Sequence, residues 1–208
     1  MDLWIWAVSG AAAFALIYII RTILKKALVF RNKDTKTGVP LEMYLDSLKD
    51  RLTFEDSLIM LEPVARKLAE MHTNGLCHLD VCPQKITVDP ETQKAALMEP
   101  EPAVAIRPGY SAPEQYSAGV KTGTWTDAYA LAAVLFRVAA GENPPEAPFR
   151  MKGGDAVAHT INSLAADEIK RKIWLNAFSL AKESRTANCG LMALDWYAAD
   201  ENIDKDAK

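Results

Sequence analysis

The chain has 208 residues, half of them apolar and a quarter charged, with a formal net charge of −3. That length holds one globular domain with an appendage, and the slightly acidic balance lacks the basic surplus of a nucleic-acid binder, so no nucleic acid is expected as a partner. The three cysteines, Cys77, Cys82 and Cys189, have no metal-ligand spacing, and an odd number without a framework fits small buried or half-buried thiols in a reducing compartment.

From Leu3 to Ile20 no side chain is charged. At about 1.5 Å per residue this run covers about 27 Å, enough to cross a bilayer's hydrocarbon core once. Trp4 and Trp6 stand at one end and Tyr18 at the other, as interfacial aromatics do. No Lys or Arg precedes the run, whereas Arg21, Lys25, Lys26, Arg31 and Lys33 follow it, which places the remainder in the cytoplasm by the positive-inside rule. A cleaved signal peptide and a buried helix are the rivals; the first would need a basic stretch ahead of a shorter apolar run. The expectation is a single-pass signal-anchor in the cell membrane, with a juxtamembrane helix, over residues 1–30. A polar linker follows over 31–38.

Past the linker the apolar period is helical. Pro40 is expected in the first turn of a helix that carries Leu41, Tyr44, Leu45 and Leu48 on one stripe. Thr53 is an N-cap ahead of Glu55 and Asp56, and its helix carries Leu58, Leu61, Ala65, Leu68, Ala69 and Met71 to a stop at Asn74-Gly75. Pro63 inside this run implies a kink or a tolerated break. Ile86-Thr87-Val88 and Ala95-Ala96-Leu97-Met98 flank Asp89-Pro90-Glu91-Thr92, the pattern of a small β-hairpin. Glu99-Pro100-Glu101-Pro102 ends it, and 103–112 reads as extended and irregular.

Thr124 then opens a helix through Ala130, Leu131, Val134, Leu135, Val138 and Ala139 to Gly141, apolar enough on all sides to be buried. The stretch from Phe149 to Ser163 is expected to hold at most one short helix. Ile169, Ile173, Trp174, Ala177 and Leu180 mark another amphipathic helix, and Leu191, Leu194, Trp196 and Tyr197 a last one. The tail over 199–208 is charged and expected to fray.

Three separated motifs occur in this helical frame. Cys77-His78-Leu79-Asp80-Val81-Cys82-Pro83-Gln84-Lys85 is a His-x-Asp loop, Tyr110-Ser111-Ala112-Pro113-Glu114-Gln115-Tyr116 contains Ala-Pro-Glu, and Trp125-Thr126-Asp127 starts the buried helix; Ser184-Arg185 lies near the end. In this order they resemble the C-terminal lobe of a protein kinase, of the bacterial Ser/Thr type, over 39–198. The resemblance implies a mainly α fold: a helical, protein-kinase-like C-lobe with a small β-hairpin, preceded by one N-terminal transmembrane helix. It also implies structural roles. Glu114 would pair with Arg185, and Asp127 would accept hydrogen bonds from the backbone of the His78 loop.

The same resemblance marks the chemical groups as degenerate. A kinase needs an Asp to accept the substrate hydroxyl proton and an Asn to hold magnesium. Asp80 stands at the first place and Lys85 at the second, with Leu79 replacing the Arg after His78. Glu99 falls in the Asp-Phe-Gly region, where Pro100 and Glu101 replace the flexible end. Cys82 stands where a phosphate-facing Lys would be, and Thr87 where an apolar residue would support adenine.

The Gly-rich loop and strand Lys of the upper lobe find no counterpart ahead of Val39 in these residues. Asp80 is therefore expected to be a relic, hydrogen-bonded within its loop and paired with Lys85. No metal or cofactor is expected.

The function expected is that of a membrane-anchored, pseudokinase-like module that binds a protein partner, a true kinase or another signalling protein, through the side facing the missing lobe. The alternative is Ser/Thr kinase activity with ATP and magnesium, using an upper lobe supplied by another polypeptide or Glu99 as an atypical metal ligand.

Overall fold

The computed structural model describes residues 38–101, 106–153 and 156–190, together with 192, 193 and 196. The chain divides into two compact units, Met1–Thr37 and Gly38–Lys208, and every described residue lies in the second. The apolar run over 3–20, the basic residues after it and the terminal tail fall outside the described residues. No described helix is long and apolar enough to cross a membrane.

The described residues form six α-helices and a three-stranded antiparallel sheet. Strand β1 (Val39–Pro40) leads directly into helix α1 (Leu41–Ser47). Pro40 is thus the residue before the helix and not part of its first turn. Its ψ of 140° is extended, and it pairs with Thr87 of β2 (Ile86–Val88). A proline without an N–H is tolerated there because β1 is an edge strand. A two-residue strand has no period of its own, so β1 could be found only through its partner. On the other side of β2, β3 (Ala95–Leu97) completes the hairpin with Ile86 opposite Leu97 and Val88 opposite Ala95.

Helix α2 (Phe54–Thr73) starts at Thr53, whose hydroxyl oxygen accepts the Asp56 N–H at 3.1 Å. Phe54, Leu58, Leu61, Val64, Ala65, Leu68 and Met71 form its buried stripe, and Asn74 caps its end. The helix is continuous through Pro63, with neither break nor change of helix type. Pro63 is only half buried, and Ile59, whose carbonyl loses its usual partner to the proline, is 60% exposed. Solvent therefore reaches this face of the helix, and the interruption is confined to one bond.

Helix α3 (Thr124–Ala140) is the axis of the unit. Every side chain over 126–140 is buried except Arg137. Trp174 of α6 (Glu168–Ala177) packs across it, stacked on Phe54 at 5.0 Å between ring centroids, and its indole N–H donates to the Ala132 carbonyl at 3.0 Å. This contact joins α2, α3 and α6 through one fully buried indole.

Two expectations for the C-terminal half are corrected. The stretch after Asn143-Pro144-Pro145 holds two helices, α4 (Ala147–Gly153) and α5 (Ala156–Leu164), where at most one was expected. Neither has a long apolar stripe. α4 is anchored instead by buried Arg150, which donates to Tyr129 Oη and the Phe178 carbonyl at 2.9 and 3.0 Å. In α6 the apolar stripe includes Trp174 and Ala177, but Ile169 is 56% exposed and Lys170 is buried, with its ammonium 2.7 Å from Glu55. An ion pair to α2 sets the rotation of α6 at that end, which hydropathy does not register. Helical residues follow at 189, 190, 192, 193 and 196, with Met192 and Trp196 buried. Leu191, Leu194 and Tyr197 lie outside the described residues.

Candidate functional site

The His78 loop connects α2 to a single 3₁₀ turn, Pro83–Lys85, and then to β2. Its backbone is fixed from below by Asp127 in the first turn of α3. Asp127 accepts the His78 N–H at 2.8 Å and the Leu79 N–H at 2.7 Å, and the His72 imidazole lies 2.9 Å from the same carboxylate. A carboxylate at a helix N-terminus is favoured by the helix dipole, and here it also satisfies two backbone donors of a buried loop.

Leu79 has φ of +60°, a left-handed conformation that costs a non-glycine residue about 1–3 kcal/mol. The surroundings impose it: Asp127 holds the Leu79 N–H while the Gln115 amide donates to its carbonyl at 2.9 Å. Gln115 belongs to the 3₁₀ turn Pro113–Tyr116, so the Ala-Pro-Glu segment and the His-x-Asp loop are joined by this bond. Beneath them Arg185 grips Glu114 with two bonds of 2.8 and 3.0 Å, and Thr126 donates to the same carboxylate at 2.8 Å. Arg185 also donates to the Ser179 and Leu180 carbonyls at 2.7 and 3.0 Å. Burial pushes the Glu114 carboxyl up, but the guanidinium outweighs it and holds the group below the usual carboxylate range.

His78 points toward the sheet. One ring nitrogen is 2.9 Å from the Met98 carbonyl and the other 3.2 Å from the Asp80 N–H. A carbonyl can only accept and an N–H can only donate, so the ring is the neutral tautomer with its proton on Nε2.

The Asp80 carboxylate is fully buried and its partner comes from outside the loop. Arg107 Nε donates to Oδ1 at 2.8 Å and Nη2 to Oδ2 at 3.2 Å. Lys85 is farther away, 3.9 Å from Oδ2, and its hydrogen bond goes to Glu101 at 2.8 Å. The expected ion pair of Asp80 with Lys85 is present at this longer distance, but the hydrogen bonds to the carboxylate come from Arg107, because a planar guanidinium spans two carboxylate oxygens and an ammonium does not. Asp80 holds Arg107 firmly in its charged form, and Lys85, by hydrogen bonding first and charge second, lowers the pKa of Glu101.

Arg107 is set in place by a tight turn. Its own N–H donates to Ser111 Oγ at 2.9 Å and its carbonyl accepts from Tyr110 and Ser111. Gly109 in that turn has φ of +84°, and a Cβ there would lie 2.5 Å from the Pro144 carbonyl oxygen, so no other residue fits without moving one of the two segments.

Glu99 is exposed and has no hydrogen bond or ion pair among the described residues. The residue that reaches the cluster is Glu101, two positions on. Arg107, Gln115, His72 and Thr126 were likewise not assigned from the sequence. The only local signal for Arg107 is that it opens the run leading to Ala-Pro-Glu, which says nothing about its target. Cys77 is half buried, while Cys82 and Cys189 are buried. Burial first, with a carboxylate second, raises all three thiol pKa values, so none is poised as a nucleophile. Among the described residues, no group of three His, Cys, Asp or Glu side chains is placed to hold a metal ion.

A helical unit around α3, with a His-x-Asp loop bound to Asp127 and an Ala-Pro-Glu turn bound to Arg185, is a kinase-like fold. The solved structures agree. The Mycobacterium tuberculosis PknI kinase domain superposes with a TM-score of 0.60 at 24% identity, over 76% of this chain and 61% of that one. A point mutant of the same domain gives 0.60 and 24%, over 82% and 62%. At this identity the likeness establishes the fold alone, and this chain spans less than two thirds of those domains. Among curated proteins, a Myxococcus xanthus protein described as serine/threonine-protein kinase pkn2 is 27% identical over 110 residues, which is 44% of this chain and 13% of that protein. No family model matches the chain.

Proposed function

We propose that this chain is a pseudokinase-like module, anchored to the membrane by residues 3–20, that acts as a protein-binding or signalling scaffold and does not transfer phosphate. The observation that carries this is the two-bond grip of Arg107 on Asp80. A general base must offer a lone pair to the incoming hydroxyl. Here the only carboxylate in the loop is fully buried beneath a guanidinium that binds both its oxygens, with the ammonium of Lys85 beside them, so a hydroxyl has no path to a free lone pair.

The residues present also do not fit a magnesium–nucleotide complex. Lys85 places positive charge where the metal-binding amide would be, and Glu99 is turned to solvent. Phosphoryl transfer depends on positioning and on neutralising charge more than on proton removal, so an isolated Asp80 would supply little. The partner is expected on the side facing the missing lobe, near the hairpin end, where Met98 after β3 is 47% exposed.

The test is a thermal melt of the full 208-residue chain in detergent, with and without ATP and magnesium. No rise in Tm is expected at any nucleotide concentration. A saturable rise would reject the proposal, since a ligand that binds only the folded state must stabilise it. Anchoring is tested by alkaline extraction of membranes, after which the chain should stay with the pellet.

A further inference from the structure

Helix α4 turns one face inward and leaves the other bare. Ala147 and Arg150 are buried, at 0% and 4% exposure, and the bonds of Arg150 to Tyr129 and Phe178 fix the helix in that rotation. Glu146 stands at its start, where its carbonyl accepts the Phe149 and Arg150 N–H groups at 3.0 Å. Phe149 and Lys152 follow at intervals of three, and all three side chains are exposed. At 68%, Phe149 is the most exposed large apolar side chain among the described residues.

The three residues border one open groove of about 590 Å³, together with Pro108, Pro144 and Pro148. Prolines have a fixed φ and no N–H, so this wall is stiff and chiefly apolar. Along the row on α4 the order is acidic, aromatic, basic. Neither Glu146 nor Lys152 has an ion pair among the described residues. A partner of one charge would meet a like charge at one end of this row, which is repulsive. A second copy laid against it in the opposite direction meets none, because Glu146 then faces Lys152 at both ends and Phe149 lies in the middle.

We propose that this face of α4 pairs with the same face of a second copy of the chain, about a two-fold axis beside Phe149, with each ring covering the other copy's groove and each Glu146 meeting the other copy's Lys152. Stable interfaces bury about 1,200–2,000 Å² in total, more than one groove and a helix about 10 Å long supply, so the pairing is weak in dilute solution. It is favoured where a common membrane concentrates the copies. The inference deepens the reading of the chain as a protein-binding module by naming one partner, at residues separate from the hairpin end.

The test is sedimentation equilibrium of the full chain in density-matched detergent over a range of concentrations, where a monomer–dimer equilibrium is expected. Glu146→Lys alone and Lys152→Glu alone should each weaken the dimer about tenfold, equivalent to about 1.4 kcal/mol, because two like-charge contacts replace two attractive ones. An equimolar mixture of the two variants should restore it, since in the mixed dimer both contacts again join opposite charges.

Monomer at every concentration, a dimer unchanged by either reversal, or a mixture that associates no more tightly than the variants alone would each overturn the inference. Phe149→Ala is at an exposed position and keeps the test decisive should a reversal not fold: it should weaken the dimer about tenfold, and an unchanged dimer would overturn the inference. The nucleotide melt reads a different property, so the two proposals fail separately.

Discussion

Two ion pairs of this molecule have the same chemistry and different surroundings. Glu114–Arg185 lies at the base of the Ala-Pro-Glu turn with both side chains almost fully enclosed, at 3% and 0% exposure. Asp80–Arg107 lies at the mouth of the His78 loop, with the carboxylate at 0% but the guanidinium at 24%. The first is surrounded by further acceptors, so every bond in it is part of how three segments meet. The second is open on one side, where water reaches the guanidinium while the carboxylate stays buried. A shielded pair that cannot be hydrated acts on folding, whereas a pair open to water on one side acts chiefly on what can approach it.

The comparison is put under most strain by Arg185→Ala. It leaves Glu114 buried without its partner and should destabilise the unit by about 3–5 kcal/mol, read as the change in urea midpoint at constant slope. Replacing both members, Glu114→Leu with Arg185→Met, should cost less than the single change, because no unpaired charge remains. If the single and double variants are equally stable, the enclosed pair is not acting as described.

Next in size is Asp127→Ala, which strands the His78 and Leu79 N–H groups and removes the support for the left-handed Leu79. A loss of about 2–5 kcal/mol is expected from two unsatisfied buried donors. Its specific sign is faster amide hydrogen exchange in the loop relative to α2, which a uniform loss of stability would not give.

At the open pair, a double-mutant cycle of Asp80→Asn and Arg107→Ala should give a coupling of about 1–3 kcal/mol. A coupling below about 0.3 kcal/mol would show that the guanidinium only lies beside Asp80 and does not hold it.

The pH dependence separates the pairs further. The Glu114 carboxyl is held below its unfolded value of about 4.3, so its contribution is complete above that pH and is lost as pH falls through the lowered folded value. The stability gap between wild type and Glu114→Gln should therefore be constant near neutrality and close in acid. The smallest effect belongs to the solvent-facing end of the open cluster. Glu101 is 56% exposed, and Glu101→Gln should leave Tm unchanged within error near pH 7.

Much of this could be read along the chain because the signals are local. Thr53 and the stripe from Leu58 to Met71 define α2, the apolar run from Ala130 to Ala139 defines α3, and Asp89-Pro90 marks the turn of the hairpin. One helix more than the single short one expected lies after Pro145, because α4 is ordered by a buried Arg150 in contact with Tyr129 and Phe178, which no apolar period announces. The place of Asp80 in a loop was equally visible, but its partner was not.

The sequence by itself determined where most helices and the hairpin lie. Those features depend on residues within a few turns of one another, so period, caps and spacing are enough. Only the tertiary structure decided that Arg107, 27 residues away, closes over Asp80, that Glu101 rather than Glu99 meets Lys85, and that β1 pairs with β2. The reach of a long charged side chain is set by where packing leaves its loop, and that is fixed by contacts between segments that carry no mark of each other in the sequence.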